Sequence, residues 1–160
     1  PCPCGFYGDP EHDCNCSPLQ IARYLGKLSG PLLDRIDLQV EVPRVKYEAL
    51  TDAATPEDSL SIRARIEKAR TIQNQRFRRH DSKGNAQMRP RDLKNFCRLK
   101  DDAHQLLRTA FSNLGLSARG HDRILKVART IADLDSSERI GAAHVAEAIQ
   151  YRSLERKYHS

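Results

Sequence analysis

Four of the five cysteines in this 160-residue chain fall in its first sixteen positions, at Cys2, Cys4, Cys14 and Cys16. The pattern is C-x-C, nine residues, then C-x-C. Four thiolates can close a tetrahedral structural Zn²⁺ site, and His12, between the pairs, is a reserve ligand. Pairs spaced by one residue rather than two to four make a tighter geometry than most zinc motifs, so reduced thiols, a disulfide and a C-x-C redox pair stay open beside metal. Gly5, Gly8 and Pro10 suit a compact knuckle and favour the metal reading. The fifth, Cys97, lies in the helical-looking run RDLKNFCRL and reads as a small core residue.

Two arginines stand where a guanidinium has chemistry to do. Arg35 in GPLLDRIDL sits where a helical turn ends and a strand is expected, at a sheet margin. Its plain alternative is an ion pair with Asp34 or Asp37. Arg119 in LSARGHDR falls in the first turn of a well-capped helix, where a cation opposes the helix dipole unless an anion lies nearby. Its plain alternative is a solvated surface residue. No Walker A loop, G-x-G-x-x-G, H-E-x-x-H or G-x-S-x-G occurs, and the six histidines show no ligand or triad spacing.

The elements that must position these groups are mostly helical. Ser17 and Pro18 open a short helix, SPLQIARYLGKL. SGP at residues 29–31 stops it, with Gly30 available for a left-handed conformation and Pro31 starting another turn. Ile36, Leu38, Val40 and Val42 then alternate with polar residues, predicting one strand over 36–42. A lone strand cannot satisfy its backbone groups, so its partners are expected elsewhere. A polar linker leads to a basic helix over 60–79 with a narrow apolar stripe, Ile62, Ile66, Ala69 and Ile72 or Gln73, that needs something to pack on. HDSKGN breaks that helix, and a loop runs to Pro90. Three more helices follow: one ending at Gly115, one capped by Ser117, and one from Ala142, which together form a small bundle.

The net charge of +6 is unevenly spread: residues 1–58 carry 5 Lys and Arg against 10 Asp and Glu, whereas 59–100 carry 13 against 3. A basic segment of that density can meet nucleic acid, nucleotide phosphates or an acidic subunit surface, or can be a solvated helix face. No run approaches twenty apolar residues and the start lacks a signal-peptide layout, which predicts a cytoplasmic protein with no membrane partner.

PCPCGFYGDPEHDCNC with QIARYLGKLSGPLLDRIDLQVEVPRV, together with LSARGHDRILKVARTIADL and AAHVAEAIQYR, resembles the C-terminal part of the magnesium-chelatase-like AAA+ ATPases of the ComM/YifB type, over essentially the whole chain. The resemblance implies a mainly α fold: a helical AAA+ lid bundle preceded by a fragment, one short helix and one strand, of the α/β core. It divides the chain into core tail (1–48), linker (49–58) and lid (59–160). In that family the sensor-1 Asn directly precedes PCPCG and the Walker segments lie further upstream, so this chain alone is expected to be inactive. By position, Arg35 matches the arginine finger that reaches the nucleotide of an adjacent subunit, and Arg119 matches sensor 2. ATP and Mg²⁺ are the implied cofactors, with structural Zn²⁺ dispensable to the ATPase chemistry because some relatives lack the cysteines. The implied partners are further copies of the protein in a hexameric ring, and DNA, through processing such as branch migration in natural transformation. A different class of reading is a non-enzymatic nucleic-acid-binding module built on residues 59–100, and a third is a regulatory adaptor.

Overall fold

The computed structural model describes residues 2–42, 45, 47 and 56–152. The chain divides into two compact units, the first drawn mainly from Pro1–Ala53 and the second from Ala54–Ser153. The described residues are mainly helical, as expected from the apolar periodicity.

In the first unit a loop carrying the four clustered cysteines runs into helix α1 (Pro18–Leu25). The helix begins there because Ser17 and Gln20 satisfy each other's amides: Gln20 N–H donates to Ser17 Oγ at 3.3 Å, and Ser17 N–H donates to Gln20 Oε1 at 2.9 Å. Pro18 occupies the first helical position, where its missing N–H costs nothing. One further turn, α2 (Gly30–Leu33), is capped by Ser29, whose Oγ accepts from Leu32 N–H. Gly30 is therefore helical rather than left-handed, because the Ser29 cap, not a reversal, starts this turn.

Residues 36–42 do not form the strand that their alternation predicts. The physical reason is the one a lone strand implies: among the described residues no neighbour offers a ladder to these N–H and C=O groups. The apolar side chains of the alternation stay exposed, Leu38 by 52% and Val42 by 82%. The only buried apolar residues described in this unit are Cys2 and Leu33, and α1 buries none.

Residues 49–55 of the expected linker lie outside the described residues. Asp58 opens the second unit's first helix, α3 (Ser59–Phe77), by accepting from Ser61 N–H at 2.7 Å. Those Ser61 hydrogen bonds, side chain and amide, hold the Asp58 carboxyl below its ordinary value. A single 3₁₀ turn (Asn85–Gln87) and α4 (Pro90–Phe96) occupy the stretch expected to be loop and its margin. Next come α5 (Asp101–Leu114), α6 (Ala118–Leu134) and α7 (Ala142–Gln150). Gly115 ends α5 in the left-handed region, φ 59°, which costs glycine nothing and a Cβ-bearing residue strain.

Helix α6 is the hub, packing against α3, α4, the 3₁₀ turn and α7. Its Ile124, Ala128 and Ala132 are fully buried against Ala103 of α5 and Val145 and Ala148 of α7. Two backbone bonds clip the entries of α5 and α7 together in a parallel bridge: Ile140 N–H donates to Arg98 C=O at 2.9 Å, and Lys100 N–H donates to Ile140 C=O at 2.8 Å. Cys97 is buried in this core as expected, and burial pushes its thiol up to about 12, which makes it inert. The predicted stripe of α3 is only partly covered. Ala69 and Phe77 are buried, whereas Ile62 and Ile66 remain 39% and 45% exposed.

Candidate functional site: a cysteine cluster and two arginines

The loop 2–16 folds back on itself so that all four cysteine sulfurs lie within 4.8 Å of one another. Two left-handed glycines, Gly5 at φ 88° and Gly8 at φ 82°, make the reversals between the pairs. Gly5 N–H donates to Cys2 C=O at 3.1 Å, and Asp9 N–H to Phe6 C=O at 3.0 Å. The amides of Glu11 and His12 both donate to Asp9 Oδ1 and close the second bend. Sγ–Sγ separations are 3.3 Å for Cys2–Cys4 and 3.6 Å for both Cys2–Cys14 and Cys4–Cys14, and all five cysteines are free thiols. Tyr7 N–H also donates to Cys2 Sγ, at 3.3 Å. His12 is not part of the cluster. Its ring stacks on Phe6 with centroids 5.0 Å apart.

Crowding sets the proton affinities. Burial works upward on Cys2, but hydrogen bonds from Cys4, the Tyr7 amide, Cys14 and the Gly5 amide outweigh it and lower the thiol to about 6. The Cys16 amide pulls Cys14 down, yet burial and the neighbouring sulfurs prevail and push it up to about 12. Cys16 is likewise raised, burial and the sulfurs of Cys4 and Cys2 outweighing a hydrogen bond from the Cys4 amide. Sulfurs this close compete for a single negative charge unless a cation joins them.

Arg35 follows α2 and is exposed. Its Nη1 donates to the Pro31 carbonyl at 2.7 Å. Arg119 is exposed in the first turn of α6. Ser117 Oγ accepts from Gly120 N–H at 2.9 Å, and no acidic residue stands in that turn to offset the dipole. A groove of about 550 Å³ between α5 and the start of α6 is lined by His104, Arg108, Phe111, His121 and Asp122 among others, and Arg119 is not one of its lining residues. The sequence did not mark this groove as a site. The two arginines belong to different units.

Sequence reasoning also missed a buried ionic network. Asp133, fully buried on α6, accepts from both Nη atoms of Arg76 on α3, from Asn85 Nδ2 at 2.8 Å and from Arg129 Nε at 3.1 Å. Arg129 in turn donates to the carbonyls of Ser137 and Glu138. Burial pulls the Arg129 guanidinium below its ordinary value against the opposing field of Asp133. The available signal was an Arg and an Asp four apart inside the apolar face ILKVARTIADL.

Residues 56–152 match the family described as magnesium chelatase, subunit ChlI C-terminal, and residues 1–50 match magnesium chelatase, subunit ChlI. The chain belongs to the magnesium chelatase ChlI C-terminal family. It is 41% identical over 157 residues to competence protein ComM of Haemophilus influenzae, covering 98% of this chain and 30% of that relative. It is 40% identical over 157 residues to YifB of Escherichia coli, with the same coverage. A Mycobacterium tuberculosis protein is 42% identical over 152 residues, 95% of this chain and 30% of its own length. The ComM/YifB resemblance read from the sequence is thus borne out, and the chain spans about 30% of the length of these magnesium-chelatase-like relatives. Among the described residues no helix is long and apolar enough to cross a membrane.

Proposed function

We propose that this chain is the finger-and-lid segment of a AAA+ ATPase, acting in a ring of copies of the intact protein. Arg35 is the arginine finger offered to the nucleotide of the adjacent copy, and Arg119 is sensor 2 on the nucleotide of its own copy. The observation that carries the reading is the place of Arg119: an exposed guanidinium in the first turn of the 17-residue helix α6, at its positive end. Nucleotide phosphate supplies the anion that such a placement favours. Family membership and the position of Arg35 just beyond α2 support the arginine-finger role. ATP would supply the phosphoryl group to be transferred, and Mg²⁺ would neutralise its charge when bound. In these roles Arg35 and Arg119 offer the nucleotide cations, and among the described residues the four cysteines are the only cluster of three or more candidate metal ligands.

The test is ATP turnover by the intact protein. Arg35→Ala lowers turnover by roughly 10³-fold or more, as for other arginine fingers, while nucleotide binding persists. Undiminished turnover after truncation of both Arg35 and Arg119 refutes the reading.

DNA processing is the work to which this hydrolysis is coupled. It rests on the similarity to a competence protein and on the basic segment, where every Lys and Arg of 59–100 except Arg76 is exposed. The non-enzymatic nucleic-acid module draws on the same exposed cations. Tight DNA binding with a steep salt dependence by the chain itself, without ATP hydrolysis in the intact protein, favours that module.

A further inference from the structure

We infer that Cys2, Cys4, Cys14 and Cys16 hold one structural Zn²⁺ ion that fixes loop 2–16 against the start of α1. The inference is independent of the ATPase reading. Ligands about 2.3 Å from a tetrahedral Zn²⁺ lie about 3.8 Å from one another, the edge of the tetrahedron. Separations of 3.3, 3.6 and 3.6 Å among Cys2, Cys4 and Cys14 lie just under that edge, and Cys16 Sγ lies within 4.8 Å of each, so the four sulfurs surround a space of about that size. The space between them accepts one ion and not a multi-iron cluster. A purely thiolate set selects a soft or borderline metal over Mg²⁺ or Ca²⁺.

Two independent observations point the same way. The Tyr7 amide is aimed at Cys2 Sγ, an N–H···S bond of the kind that orients a ligating sulfur and stabilises its charge. The unit also has little apolar burial to hold this loop, since Cys2 and Leu33 are its only described buried apolar residues. A small unit with so thin a core takes its stability from a cross-link. The fourth sulfur belongs to Cys16, the residue before the Ser17 cap, so the ion and the helix start are consecutive in the chain.

The experiment uses the full chain, purified without chelator and assayed for metal. About one zinc per chain is expected, with the four cysteines shielded from alkylation until the metal is stripped. Exchange of zinc for Co²⁺ should give the intense visible bands of a tetrahedral thiolate site, a readout that needs no variant to fold. Cys14→Ser and Cys16→Ser should each weaken zinc binding by about 10²-fold or more, since losing a ligand exceeds the effect of losing a supporting hydrogen bond. Cys97→Ser should leave the stoichiometry unchanged. Hydrogen exchange at the Tyr7 amide should rise on zinc removal. A folded, zinc-free chain with four freely alkylated thiols overturns the inference. So does a weak octahedral Co²⁺ spectrum, or iron as the resident ion.

Discussion

Replacing Asp133 by Asn tests whether the ionic network, rather than apolar burial alone, holds α3 and the 3₁₀ turn onto α6. The change preserves volume and removes one charge. In the wild type the carboxylate is fully buried and accepts four hydrogen bonds, two from Arg76 and one each from Asn85 and Arg129. With Asn in place, Arg129, only 1% exposed, shares a buried site with Arg76 and no counter-charge, and an amide NH₂ faces guanidinium donors. Breaking a buried pair in this way costs about 3–5 kcal/mol, of the order of a third or more of a typical domain's stability. For a unit of this size that lowers Tm by at least about 12 °C. Urea unfolding followed by circular dichroism measures it. A double-mutant cycle with Arg129→Met should return a coupling energy of about 1–3 kcal/mol. The internal control is Arg65→Ala, which breaks an ion pair with Glu57 whose side chains are 58% and 44% exposed; its effect should stay below about 1 kcal/mol. An Asp133→Asn variant within about 1 kcal/mol of wild type refutes the argument and leaves apolar packing as the sole tie.

Ser117→Ala removes the cap of α6 and should destabilise by about 1 kcal/mol, read in the same unfolding assay; Ser117→Gly should cost only a few tenths. Gly115→Ala places a Cβ in the left-handed region, and although nothing crowds it there, backbone strain should lower stability by about 1 kcal/mol. Asp92 caps α4 by accepting from the Arg89 amide at 3.0 Å and also accepts from Ser82 Oγ at 3.0 Å; the Arg89 bond, opposed by burial and aided by Ser82, holds its carboxyl below the ordinary value. A depressed carboxylate stabilises above its unfolded value, near 3.8, and that gain is lost as pH falls through the folded value. Asp92→Asn should therefore be less stable than wild type at neutral pH, with the gap closing below about pH 4 in pH-resolved unfolding curves.

What the sequence revealed divides along physical lines. Caps and stops are local chemistry, so Ser17 with Pro18, Ser117 and Gly115 could be read from a few neighbouring residues, as could Cys97 in its apolar run. The meeting of four sulfurs was legible because C-x-C pairs nine residues apart with two glycines between them nearly dictate a closed loop. Residues 36–42 mislead because alternation measures what a strand would bury, not whether a neighbour is there to receive its hydrogen bonds. Arg129 and Asp133 were illegible as a network because their partner Arg76 lies 57 residues from Asp133, and only packing brings them together. Ile62 and Ile66 looked like core for the same reason: a stripe states a demand for cover without naming the surface that meets it.

The uneven burial of α3 gives the helix the mechanics of a cantilever. Its fixed end is the stretch from Ala69 to Phe77, locked by the Arg76–Asp133 contact, while Ile62 and Ile66 are left uncovered. At 1.5 Å per residue, a load applied at Ile62 acts through an arm of about 21 Å before it reaches that lock. Small pushes at the outer end therefore arrive as torque on the hub helix, the same helix whose opposite terminus carries Arg119.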